Sequence, residues 1–230
     1  MIIVETKPLE EIINMVKDQK SILVVGCEGC TAITQAGGEK QAEVMARLLE
    51  MGLKTKENKE IKIKAISILR QCDKRIVANS LRPFIEDYEA ILSMACGVGV
   101  QTVADIFEHK KVFPAQNTKF MGSHDRETGR FSELCKACGE CILDETGGIC
   151  PLTRCAKGLL NGPCGGYAKG KCEVGGWTHD CAWVLIFNRL KAQGRLDLFT
   201  KFRPPRDLSL IHISEPTRPL YISYAVFCLK

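Results

Sequence analysis

The chain has 230 residues, 45% of them hydrophobic, which is enough to bury a core as one large domain or two small ones and excludes a disordered chain. The 32 Lys and Arg exceed the 27 Asp and Glu only slightly and lie scattered with few aromatics between them, so no nucleic-acid-binding stripe is expected. The composition is set apart by its thirteen cysteines.

At the N-terminus, Glu5, Glu10 and Glu11 stand where an export signal would need a basic start followed by an unbroken apolar run. The longest apolar stretches, such as Ile22 to Val25 and Ala182 to Phe187, fall far short of the roughly 20 residues that cross a bilayer. A cytoplasmic location without a membrane span is therefore expected. In that reducing setting cysteines serve metal ligation rather than a disulfide framework.

Thr6 is expected to cap a helix from near Pro8, with Leu9, Ile12, Ile13 and Val16 on its inward face. Ser21 to Gly26 reads as a buried strand of a parallel sheet. It is followed by a helix from about Gln41 to Met51, with Met45, Leu48 and Leu49 inward and Gly52 as its stop. After a charged loop from Lys54 to Glu60, the alternation at Ile61, Ile63 and Ala65 turning wholly apolar by Leu69 predicts a second strand. Helical sequence from Lys74 is broken or restarted at Pro83. A third strand follows at Ala90 to Met94, then a helix from about Val100 to Glu108, and Val112 and Phe113 start a fourth strand.

Strands alternating with helices predict an α/β fold for residues 1–122, a doubly wound parallel sheet with right-handed crossovers. From 123 to 207 glycine and cysteine dominate and apolar periodicity fades, so a smaller, cysteine-rich domain stapled by metal is expected. Its closing helix runs from about Cys181 to Ala192, with Trp183, Ile186, Phe187 and Leu190 as packing residues. Residues 208–230 resemble the translated read-through of a sequencing adapter and are expected to be non-native, so Cys228 is set aside.

Cys27 and Cys30 lie just beyond the first predicted strand, Cys72 beyond the second and Cys96 beyond the third. The carboxyl ends of parallel strands share one edge, so these four thiols are expected to converge there as the ligands of one iron–sulfur cluster. Gly26, Gly29, Gly97 and Gly99 allow close backbone approach. Two other readings stay open: Cys27 and Cys30 as a redox pair with Cys72 and Cys96 merely buried, and Gly97-x-Gly99 as a nucleotide loop, though its third position is Thr102.

Cys135-x-x-Cys138-x-x-Cys141 has the spacing that wraps a cluster in bacterial ferredoxins, and Cys150-Pro151 is like the end of that motif. Eight residues separate Cys141 from Cys150 where ferredoxins have three, so Cys150, Cys155, Cys164, Cys172 and Cys181 all compete as further ligands. Two or three 4Fe–4S clusters in the whole chain are expected, with zinc as the alternative in the C-terminal domain and His179 as a possible substitute ligand. His109 and His124 read as surface residues. No paired-carboxylate or nucleophile–base constellation suggests a catalytic residue.

The segments Val25-Gly-Cys-Glu-Gly-Cys30, Arg70-Gln-Cys72, Met94-Ala-Cys-Gly-Val-Gly99 and Leu134-Cys-Lys-Ala-Cys-Gly-Glu-Cys141, with Cys164-Gly-Gly166 and Arg203-Pro-Pro205, carry a resemblance. Over residues 1–207 the chain resembles the small iron–sulfur subunit of bacterial methylenetetrahydrofolate reductase, the reductase C-terminal-like family. The resemblance implies a larger, flavin-containing reductase subunit as partner, to which this chain would deliver electrons in one-carbon metabolism, often the acetyl-CoA pathway, with a further electron-donating subunit upstream. It implies metal ligands at Cys27, Cys30, Cys72 and Cys96 and in the group beginning at Cys135, and no folate site on this chain. A zinc-stabilised docking or regulatory module without redox role is the alternative function.

Overall fold

The computed structural model describes residues 1–206, and the tail with Cys228 lies outside them. The chain divides into two compact units, Met1–Ser132 and Glu133–Lys230. In chain order the first holds β1 (Ile2–Thr6), α1 (Leu9–Val16), β2 (Ser21–Cys27), α2 (Cys30–Ile33), α3 (Glu39–Glu57), β3 (Lys62–Ile68), α4 (Lys74–Ile85), β4 (Ala90–Met94), α5 (Gly97–Ile106), β5 (Lys111–Pro114) and β6 (Gln116–Asp125). β7 (Arg130–Cys135) ends just past the division, and α6 (Pro151–Arg154), α7 (Ala182–Ala192) and a 3-10 turn at Leu196–Phe199 complete the described chain.

The centre of the first unit is a four-stranded parallel sheet in the order β3-β2-β4-β5. β2 is buried along nearly its whole length because both of its faces are covered, which is why its sequence is continuously apolar instead of alternating. Ile22 and Val24 of β2, with Leu92 and Met94 of β4, pack against Ile12, Ile13 and Val16 of α1 and Met45, Leu49 and Leu53 of α3. On the opposite face Leu23, Val25 and Ile91 pack against Val77 and Leu81 of α4 and Val103 of α5. Helices on both faces make the sheet doubly wound, as the alternation of elements predicts. The connection leaving β2 runs to β3 on one side and the connection leaving its neighbour β4 runs to β5 on the other, which makes the carboxyl ends of β2 and β4 the topological switch point where such sheets bind ligands.

Several sequence expectations are corrected. Thr6 ends β1 instead of capping α1, whose N-cap position is Pro8 with no side-chain cap. α3 does not stop at Gly52 but runs to Glu57, where Asn58 in the left-handed conformation (φ 48°) closes it. Gly52 is there because Ile13 packs over it: a Cβ would meet Ile13 Cδ1 at 2.5 Å. Leu48 on that helix is 40% exposed, and α4 continues through Pro83. The antiparallel sheet β1-β6-β7 was not expected at all, and residue 122, where the sequence places the end of the first domain, lies within β6.

The second unit has one small core, in which Trp183, Ile186 and Leu190 of α7 pack with Cys181 and, at its edge, Cys155, Ile149 and Phe199. This is the closing helix expected near Cys181, and Trp183 Nε1 donates to Leu159 O at 3.0 Å. Among the described residues no helix is long and apolar enough to cross a membrane.

Candidate metal centres

Three βα connections bring the first set of thiols together. Cys27 closes β2, Cys30 opens α2 three residues later, Cys72 follows β3 just before α4, and Cys96 is the N-cap residue of α5. All four line one cavity of about 390 Å³, together with Gly29, Gln71 and Gly99. Cys27 is buried, Cys30 and Cys96 are half-buried and Cys72 is exposed.

Buried polar side chains hold this edge in register. Gln71, fully buried, donates from Nε2 to Val25 O at 2.8 Å and Gly26 O at 3.1 Å, and its Oε1 accepts from Ser93 Oγ at 2.6 Å. One amide thus ties the ends of β2 and β4 to the residue that precedes Cys72. Thr31 Oγ1 lies 2.9 Å from Cys27 O and 3.3 Å from Met94 O, which fastens α2 to the same two strands. Gly99 lets α5 close on this network, since a Cβ would sit 2.7 Å from Ala95 Cβ and 2.9 Å from Gln71 Cβ.

The electrostatics of the cavity are unfavourable to a lone thiolate at Cys72. Desolvation pushes the Cys72 thiol up, and negative charge on Cys27, Cys96 and Cys30 adds to the shift against a backbone hydrogen bond that lowers it. Among the described residues Arg70 is the one charged side chain on the wall. Four thiolates there need a positive centre among them, the coupling of ligand deprotonation to metal binding that thiolate sites share. The helix dipole at Cys96 acts in the same direction. Donor type, cavity size and close glycine backbone all fit a polynuclear thiolate-ligated group.

In the second unit Cys135, Cys138, Cys141 and Cys150 line a separate cavity of about 290 Å³. The loop curls because Ala137 (φ 51°) and Gly139 (φ 80°) take left-handed conformations between the cysteines. The turn lets Ala137 N donate to Cys135 Sγ at 3.4 Å, the backbone-to-sulfur contact that supports a ligating thiolate. Cys150 joins this set from the N-cap of α6, with Pro151 supplying the first helical position.

Cys155, Cys164, Cys172 and Cys181 line neither thiol-walled cavity. Cys181, the N-cap of α7, is buried in the small core with Cys155 at its edge. Cys172 N donates to His179 O at 2.8 Å, and Cys164 Sγ lies 3.7 Å from Lys157 Nζ, which also pairs with Glu173. His109 approaches Glu86 at the surface and His124 stacks on Phe131 with Nδ1 buried and unpartnered. Among the described residues no group of three or more His, Cys, Asp or Glu forms a site for a single metal ion. Such a site would draw thiolates to about 3.8 Å from one another around bonds of about 2.3 Å.

Sequence reasoning missed Thr31 and gave Gln71 no role beyond its place in the Arg70-Gln-Cys72 motif, because single buried polar residues leave no trace in hydrophobic periodicity. It also named Arg203 only within the Arg203-Pro-Pro205 motif and missed its burial, where it pairs with Glu145 Oε2 at 2.9 Å and donates to the carbonyls of Glu145 and Leu198.

Residues 113–209 match the family model described as methylene-tetrahydrofolate reductase C terminal, and over these residues the resemblance carried by the sequence motifs is borne out. No curated protein matches the chain. Among solved structures, the crystal structure of an extracellular ligand-binding receptor from Verminephrobacter eiseniae is similar over 46% of this chain and 28% of its own, at 11% identity and a TM-score of 0.34.

Proposed function

We propose that this chain is an iron–sulfur electron-transfer subunit that delivers electrons to a flavin-containing methylenetetrahydrofolate reductase subunit in cytoplasmic one-carbon metabolism, such as the acetyl-CoA pathway. The observation that carries the reading is the wall of the first cavity, where Cys27, Cys30, Cys72 and Cys96 from three separate connections meet at the switch point of the sheet. The matched family model supports the association with that reductase.

Cys27, Cys30, Cys72 and Cys96 would hold one 4Fe–4S cluster and Cys135, Cys138, Cys141 and Cys150 a second, with Cys155, Cys164, Cys172 and Cys181 left for a third. When bound, such clusters accept and release single electrons without making or breaking bonds in the protein. The chain's own part is to hold the thiolates apart on cavity walls, to aim backbone N–H groups such as that of Ala137 at sulfur, and to exclude water behind Gln71. The cavities of about 390 and 290 Å³, each walled by four thiols, support clusters over zinc.

The test is anaerobic purification followed by iron, zinc and acid-labile sulfide analysis and electron paramagnetic resonance after reduction. Cys72→Ser and Cys150→Ser should each lose about four irons and remove different resonance signals. Zinc without sulfide in the wild type, or both variants losing the same signal, would refute the reading.

A further inference from the structure

The mouth of the first cavity has a surface that cluster binding leaves unexplained. Three large apolar side chains at or beside it stand in solvent: Leu69 at 63% exposure, Val98 at 56% and Ile33 at 46%. Ile33 and Val98 line the cavity itself, and Leu69 precedes Arg70 on its wall. Nothing in the described first unit covers them. Exposed apolar clusters rimmed by polar groups mark contact surfaces.

The charges around this patch are one-sided in what they leave free. Arg70, Lys74 and Arg75 lie within three residues of Cys72, all exposed, and none makes an ion pair among the described residues. The neighbouring carboxylates are engaged elsewhere. Asp73 caps α4 by accepting from Arg75 N at 3.0 Å and Ile76 N at 3.1 Å, and Glu28 accepts from Ser67 Oγ and, at 2.7 Å, from Glu39 N.

We infer that the mouth formed by Ile33, Leu69 and Val98, flanked by Arg70, Lys74 and Arg75, is the docking face for a small acidic electron-carrier protein that passes its electron to the centre held by Cys27, Cys30, Cys72 and Cys96. This rests on the iron–sulfur reading of that cavity. The step is a single electron transfer: the reduced carrier is oxidised by one electron, the cluster is reduced by one, and no proton or covalent bond moves. The features suit a brief encounter of the small, weak kind typical of redox partners, steered by opposite charge and sealed by a few apolar contacts.

Stopped-flow bleaching of the anaerobic full-length chain tests this with two reductants, a reduced acidic two-cluster ferredoxin and reduced methyl viologen, a small cation. Lys74→Glu/Arg75→Glu leaves the cavity wall untouched and adds acidic residues to the first turn of α4, where they suit the helix dipole. At low salt its ferredoxin rate should fall by about tenfold or more, its viologen rate should hold or rise, and the wild-type ferredoxin rate should drop as salt is added. Leu69→Gln should slow ferredoxin alone. Ferredoxin rates unchanged in both variants, or the two reductants slowing together, would overturn the inference. So would variants that lose binding to a flavin-containing reductase subunit while keeping the ferredoxin rate, since the face would then belong to that subunit. Absence of any bleaching of the wild type by viologen would instead remove the iron–sulfur reading on which the inference stands.

Discussion

Replacing Gln71 by leucine keeps an apolar-compatible volume but deletes every polar contact the side chain makes. Two carbonyls of β2 lose a donor, and Ser93 Oγ, itself fully buried, loses the acceptor at 2.6 Å. A buried polar group left without its partner costs about 1–3 kcal/mol, and the added apolar burial of leucine returns part of that. The expected net loss is about 2–4 kcal/mol, which at about 4 °C per kcal/mol for a unit of this size lowers its melting temperature by roughly 8–16 °C. Urea unfolding followed by circular dichroism measures it directly. Adding Ser93→Ala removes the stranded hydroxyl, so the double variant should be more stable than the sum of the two single losses by about 1 kcal/mol or more. A Gln71→Leu loss below about 0.5 kcal/mol, or strict additivity in the double variant, would mean that this amide does not tie the sheet edge together.

In the second unit, Glu145 is held below the usual carboxylate range mainly by the hydrogen bond from Lys201 Nζ, with Arg203 adding and desolvation opposing. Its folded pKa lies below the unfolded value of about 4.3, so its contribution is complete above that value and disappears as pH falls through the folded one. Glu145→Gln should therefore destabilise at pH 7, with the gap to wild type closing below about pH 4; a gap independent of pH in parallel melts would sink this assignment. Removal of metal by an anaerobic iron chelator should abolish protection of amide hydrogens across residues 135–150 while leaving those of β2 and β4 protected, as hydrogen exchange read by mass spectrometry will report. Equal loss in both regions would contradict it.

The parts legible in the sequence are those where one physical signal dominates. β2 and β4 announce themselves as continuous apolar runs because both faces of the sheet are covered, and the cysteines beyond them fall at the edge that parallel topology dictates. β6 was invisible because its ten residues, Gln116 to Asp125, are mostly exposed or half-buried and carry no clean alternation. Its pairing with β1 is a long-range fact, running from Ile2 to Met121. Gly52 misled because glycine is a helix stop in isolation, whereas here the missing Cβ makes room for Ile13 of a neighbouring helix. Pro83 misled for a different reason: it sits in the last turn of α4, so few helical hydrogen bonds follow it to be lost. Cys150 could not be chosen over its four competitors by spacing, since what brings it to the wall is the curl of the intervening loop through Gly147 (φ 61°) and Gly148 (φ 82°).

The two thiol sets reach similar cavities by opposite routes, and the difference follows from sequence separation. Cys135 to Cys150 spans one short segment, so gathering its thiols closes short loops at little entropic cost, and almost no regular structure is needed to hold them. Between Cys27 and Cys96 lie two strands and three helices, and no local preference could bring those thiols together. Their meeting depends on the register of β2 against β3 and β4, which pairs Cys27 with Ile68 and Gly26 with Met94. A slip of one residue would turn every side chain of β2 to the opposite face, where it would meet the packing of the other core, and would carry Cys27 away from the cavity. The two cores that flank the sheet therefore fix the ligand geometry, and the buried amide of Gln71 locks the last residues of the strands where those cores end.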